Sequence, residues 1–139
     1  MVDRDLILAK AGLAEKYINR AFQKSEIEQS VFIKNIDVQD IVIFNLQKAI
    51  QSCVDMAAHI ISDENLGMPG SSNEMFYLLE ENGYFDSDLT EKMVKAIGFR
   101  NLIVHEYEKL DMQQVFKVAR EDVHDLQEYL KAVIKKIST

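Results

Sequence analysis

The run Phe99-Arg100-Asn101-Leu102-Ile103-Val104-His105-Glu106-Tyr107 sets an Arg, an Asn, a His and a Tyr around a short apolar core. Those side chains suit chemistry at phosphate. His105 can give or take a proton near neutrality, since an unperturbed imidazole titrates at about 6.5. Arg100 offers a planar fork of paired donors to a pentacoordinate phosphorus, and Asn101 can position the phosphate or the imidazole. On one helix Asn101 and His105 share a face, Arg100 and Tyr107 nearly overlie, and Arg100 and His105 lie about 140° apart. A single ideal helix therefore cannot aim Arg100 and His105 at one atom. Either the helix end unwinds, or two copies of the motif face each other; the second needs no distortion, so a homodimer is expected.

The positioning elements follow from hydrophobic periodicity. The chain has 139 residues with one Pro and five Gly, and its apolar residues mostly recur at helical spacing. Ile7, Ala11, Ala14, Ile18 and Ala21 predict a first helix over about 4–23. Residues 25–36 read as a connection with a short helix. Asp37 is the expected N-cap of the longest, central helix, about 38–62. That helix ends before the loop Gly67-Met68-Pro69-Gly70. Ser71 and Glu74 form a Ser-x-x-Glu capping box ahead of a short helix stopped at Asn82-Gly83. Ser87 is the expected cap of the motif helix, about 88–106. A last helix follows Asp111 and runs to about 137. The reading is an all-α, up-and-down helical bundle with three long helices and some shorter ones, forming a single domain over residues 1–139 and pairing as a homodimer.

Composition narrows the class. With 47% hydrophobic and 28% charged residues the chain matches an ordinary globular protein that can bury a real core without staples. The single Cys53 excludes an intrachain disulfide and reads as core, and no signal-like N-terminus is present, which together point to a cytoplasmic protein. No apolar run approaches the roughly 20 residues of a membrane span. The net charge of −7 argues weakly against broad phosphate binding, yet residues 63–91 carry eight acids and neither Lys nor Arg, so the acidity is local. The lysines that follow, Lys92 and Lys95, are candidates to join Arg100 around one groove.

Each feature also has an ordinary counterpart. Arg100 and His105 can simply bond the free carbonyls at a helix end, and Tyr107 can be an amphipathic packing residue. His59, one turn from Asp55, reads as structural, and His124 as solvent-facing. Gly98 costs about 1 kcal/mol in a helix relative to Ala and so marks a close approach, to a dimer mate or to a phosphate-bearing substrate.

The spacing Arg100, four residues, His105, one residue, Tyr107 is similar to the R-x4-H-x-Y motif of HepT-type toxins, in the HEPN superfamily of small helical ribonucleases. The resemblance spans nearly the whole chain. It includes Asn45-Leu46-Gln47, Cys53-Val54-Asp55 and His59-Ile60 of the central helix, the Leu66-Gly67-Met68-Pro69 loop and the final amphipathic helix. It implies a metal-independent endoribonuclease without a cofactor, acting on tRNA or mRNA as the toxin of a type II/VII toxin–antitoxin pair. Arg100 and His105 would be catalytic and Asn101 supporting. It further implies an MntA-like nucleotidyltransferase antitoxin that attaches AMP to Tyr107, adding negative charge and bulk at the groove. The competing reading is a non-catalytic helical binding module that partners a minimal nucleotidyltransferase.

Overall fold

The computed structural model describes residues 1–139. Its helices are α1 (Arg4–Lys24), α2 (Gln29–Phe32), α3 (Ile36–Asp63), α4 (Ser72–Glu81), α5 (Ser87–His105), α6 (Met112–Lys117) and α7 (Val123–Ile137). A single 3-10 turn, Tyr107–Lys109, follows α5, and a π-helical turn, Val118–Asp122, joins α6 to α7 as one rod over residues 112–137.

α1 buries Ile7, Ala11, Ala14, Ile18 and Ala21, the stripe that the three-and-four spacing predicts, along α3. α3 then packs on α5, α5 on α7, and α7 back on α1, so four helices close a ring in chain order, which is up-and-down connectivity. α4 fills the corner between α3 and α5. The interior is one continuous cluster of 32 buried apolar residues, Cys53 among them. Fully buried Tyr129 donates its hydroxyl to the Cys53 carbonyl at 2.9 Å, meeting the one polar demand its ring brings into the core.

The helix starts correct two expectations. Asn35, not Asp37, caps α3, because its Oδ1 accepts the Val38 N–H at 3.1 Å; Asp37 falls inside the first turn, where its charge still favours the helix dipole. Asp86, not Ser87, caps α5, through Leu89 N–H at 3.0 Å. The Ser71 cap holds, with Oγ accepting the Glu74 N–H at 3.2 Å, but Glu74 reaches the Gly70 N–H rather than that of Ser71. Asn82 and Gly83 end α4 as expected, Gly83 at φ 80°, which favours glycine.

The connection over residues 25–36 does carry a helix, the single turn α2. Gln39 secures it by donating to the Phe32 and Ile33 carbonyls at 2.8 and 2.9 Å. The π turn was not foreseen. It places Arg120 over the end of α1, where the guanidinium donates to the Phe22 carbonyl at 2.8 Å and lies 4.0 Å from the Phe22 ring centroid.

Candidate active site

α5 descends antiparallel to α3, and two hydrogen bonds fix their relation. Arg100 Nη2 donates to Gln51 Oε1 in the middle of α3, and the Tyr107 hydroxyl donates to Asp40 Oδ1 near its start at 3.0 Å. Asp40 and Gln51 are eleven residues apart, about 16 Å along the axis and within about 20° in phase. One face of α3 thus carries both ends of the motif.

Arg100 is the most constrained member. Its Nη1 donates to Asn101 Oδ1 at 3.0 Å, and Gln51 is itself fixed by donating Nε2 to Asp55 Oδ1 at 2.9 Å. The Nε is buried without a partner. None of these bonds goes to a carbonyl at the end of α5, so helix capping does not explain Arg100. A neutral amide between Arg100 and Asp55 holds the guanidinium in place without neutralising it, which leaves its charge for an anion.

His105, the last residue of α5, is exposed and its imidazole forms no hydrogen bond. It shares an outward ridge with Lys95, Gly98 and Asn101, all exposed. A Cβ added at Gly98 would meet nothing within 4 Å, so nothing inside one chain requires glycine there. Arg100 leans instead towards α3, and no bond joins it to His105. Within one chain the guanidinium is bonded to Gln51 and Asn101 and not to the imidazole.

Tyr107, in the 3-10 turn, is half exposed, and its phenol is held above the ordinary range by burial first and then by the hydrogen bond and charge of Asp40. Asp40 and Gln51 were not singled out from sequence, since their partners lie 67 and 49 residues away.

The two candidate lysines separate. Lys92 is not free for a phosphate: it pairs with Asp88 at 3.2 Å, Glu128 at 3.6 Å and Asp125 at 3.9 Å, on the α7 side of α5. Lys95 makes no ion pair and stays on the ridge. His124 is exposed, 3.0 Å from Gln127 Oε1, and His59 is half-buried on α3 with no side-chain hydrogen bond. No group of three or more His, Cys, Asp or Glu side chains is assembled that could hold a metal ion.

The acidic segment begins at the opposite end of α3 from Asp40. Met1 donates to the Asp63 carbonyl, Asp3 N–H to the Asp63 carboxylate and Val2 N–H to Glu64, which ties the N-terminus to the far end of α3 from Asp40.

A family model described as ribonuclease HepT-like matches residues 14–133. The chain belongs to the HepT-like ribonuclease family. It is 32% identical over 129 residues to the mRNA nuclease HepT of Shewanella oneidensis, covering 93% of this chain and 96% of that one. It is also 26% identical over 111 residues to the tRNA nuclease HepT of Aphanizomenon flos-aquae, covering 80% and 76%. The solved structure of the tri-AMPylated Shewanella oneidensis HEPN toxin in complex with the MNT antitoxin superposes with a TM-score of 0.85 at 32% identity, over 96% of this chain and 98% of that one. This HepT-like chain is all-α, as the helical spacing of its apolar residues predicts. No helix in it is long and apolar enough to cross a membrane.

Proposed function

We propose that this HepT-like chain is a metal-independent endoribonuclease toxin that works as a homodimer, with Arg100 and His105 catalytic and Asn101 supporting. The observation that carries this reading is the divergence of the motif. Arg100 is locked against Gln51, His105 is exposed without a partner, and a second copy facing the ridge of α5 supplies the missing half of the site. Gly98, smooth and exposed on that ridge, allows the approach, and half-exposed Val104 adds apolar surface beside it.

In the reaction the ribose 2′-oxygen attacks the adjacent phosphorus and the bond to the 5′-oxygen breaks. His105 takes the 2′ proton or returns one to the leaving oxygen. Arg100 balances the charge that builds on the phosphorane, and Asn101 holds Nη1. The RNA supplies its own nucleophile, so the step calls for no metal. Relatives named for mRNA and for tRNA cleavage support RNA as the substrate class.

Tyr107 is the proposed site of AMP attachment by an MntA-like nucleotidyltransferase antitoxin, as the AMPylated relative in its antitoxin complex supports. Its hydroxyl is at the surface, and a phosphodiester there would stand against Asp40 and repel RNA.

The test is cleavage of total RNA by purified protein with a chelator present, native beside His105→Ala, both checked for equal helicity. Discrete fragments from the native chain alone are expected. Intact RNA with the unmodified native protein would overturn the reading in favour of a binding module.

A further inference from the structure

A cleft of about 470 Å³ opens between α1 and α3 beside the bond from Tyr107 to Asp40. α1 brings Lys16, Tyr17 and Arg20 to it; α3 brings Asp40 and Phe44. Lys16 and Arg20 stand one turn apart on the same exposed face, and neither takes part in an ion pair. Lys48 adds a third cation, 5.6 Å from the centroid of the Phe44 ring. Asp40, the acid at the rim, already has one carboxylate oxygen engaged by Tyr107. On a chain of net charge −7 this is a local excess of unpaired positive charge.

The aromatic groups are the second half of the pattern. Phe44 is 53% exposed although a ring of that size is ordinarily buried, and Tyr17 packs one side on the core while lining the cleft with the other. Unpaired cations beside an exposed aromatic face are what a single-stranded nucleic acid requires: charge for the phosphate and a flat ring for the base.

We propose that this cleft is a nucleotide subsite for single-stranded RNA flanking the cut, with Lys16 and Arg20 on a phosphate and a base stacked against Phe44. The inference rests on the ribonuclease reading. Asp40 and Gln51 share a face of α3 about 16 Å apart, so a strand whose phosphate meets Arg100 can continue along α3 and reach the cleft a few nucleotides away. Tyr107 sits at the rim, so an adenylate attached to its hydroxyl presents the same chemistry, one phosphate and one base, to the same cleft. Modification at Tyr107 would then exclude RNA by occupying this subsite.

The experiment measures binding of a 2′-O-methyl single-stranded oligonucleotide, which cannot be cleaved, by fluorescence anisotropy across a salt series. It compares the native chain, Lys16→Gln/Arg20→Gln, Phe44→Leu, and Lys131→Gln as a control on the α1–α7 side. The double variant is expected to bind about ten-fold more weakly or worse, with the slope of log affinity against log salt reduced by about 0.7, the share of one neutralised phosphate on a single strand. Phe44→Leu is expected to lose about ten-fold with its slope unchanged, as for one stacked base. Sedimentation of each variant confirms an unchanged oligomeric state. Free AMP competing with the probe in the native chain but not in the double variant would place the adenylate in the same cleft; competition that persists in the double variant would put it elsewhere.

Native affinity and slope in the double variant would overturn the subsite, whatever the cleavage assay shows. Failure of the native chain to cleave RNA, with the binding losses intact, would overturn the ribonuclease reading and leave the subsite standing.

Discussion

Gln51 on α3 accepts the Nη2 hydrogen of Arg100 on α5 and is itself oriented by Asp55 one turn further on, so the guanidinium is aimed by a side chain 49 residues away. The amide has one sensible orientation, because its nitrogen must face the carboxylate and its oxygen the cation. That makes Gln51 a positioning residue rather than a catalytic one. Gln51→Leu keeps the packing volume and removes the acceptor. A bond to a charged group contributes about 1.5–3 kcal/mol, so kcat is expected to fall at least ten-fold with little change in KM. Gln51→Glu is the informative companion: it holds Arg100 but neutralises it, and its kcat is expected to fall as well. Steady-state cleavage of a defined RNA by both variants checks this, and native kcat in either would remove Gln51 from the mechanism.

The separation of Arg100 and His105 within one chain predicts complementation between inactive partners. Arg100→Ala and His105→Ala are each expected to be inactive. Mixed, unfolded and refolded together, they form heterodimers in which one site still has an Arg100 from one chain and a His105 from the other. Cleavage activity in the mixture, above that of either variant refolded alone, is the expected outcome. Persistent silence with heterodimers demonstrably formed would mean that one chain holds the whole site.

Asp40 and Tyr107 give a titration test. Burial and then Asp40 hold the Tyr107 phenol above its ordinary value of about 10. Asp40→Asn removes the negative charge that opposes a phenolate, so Tyr107 is expected to ionise at lower pH than in the native chain. Ultraviolet phenolate absorbance of Asp40→Asn minus that of Asp40→Asn/Tyr107→Phe, set against the matching native difference, isolates this one tyrosine. A shift upward, or none, would contradict the contact.

Much of the fold was legible because its signals are local. The Ala-rich stripe of α1, the Ser71 cap and the Asn82-Gly83 stop each depend on residues within a turn or two, and each is where the pattern put it. The cap of α3 was misplaced because Asn35 and Asp37 are equally able to accept a first-turn N–H, and what decides is the path of the chain leaving α2, where Gln39 holds two carbonyls. The π turn depends on Arg120 finding the end of α1, 98 residues away, which no local periodicity records. At the motif the residue types and the divergence of Arg100 and His105 could be read from helical phase. The roles of Gln51, Asp40 and the α1–α3 cleft could not, since they arise only when α3 is laid between α1 and α5.

Tyr129 carries the clearest dependence of stability on pH. Its hydroxyl is fully buried, donates to the Cys53 carbonyl, and is held well above its ordinary value, chiefly by burial, with the nearby Cys53 and Tyr84 adding to the effect. The unfolded chain ionises this phenol near pH 10 and the native one does not, so the stabilisation is complete below about pH 10 and is lost progressively above it, towards the higher native value. Tyr129→Phe removes both the bond and the titration. At neutral pH it is expected to cost about 1 kcal/mol, the net worth of one buried hydrogen bond, while the ring contacts with Phe76 and Phe85 are kept. Above pH 10 its stability should fall less steeply than that of the native chain, so the difference between the two shrinks as pH rises. Urea unfolding followed by circular dichroism at neutral and alkaline pH reads both effects; a gap that stays constant or widens would show that Tyr129 does not set the alkaline limit.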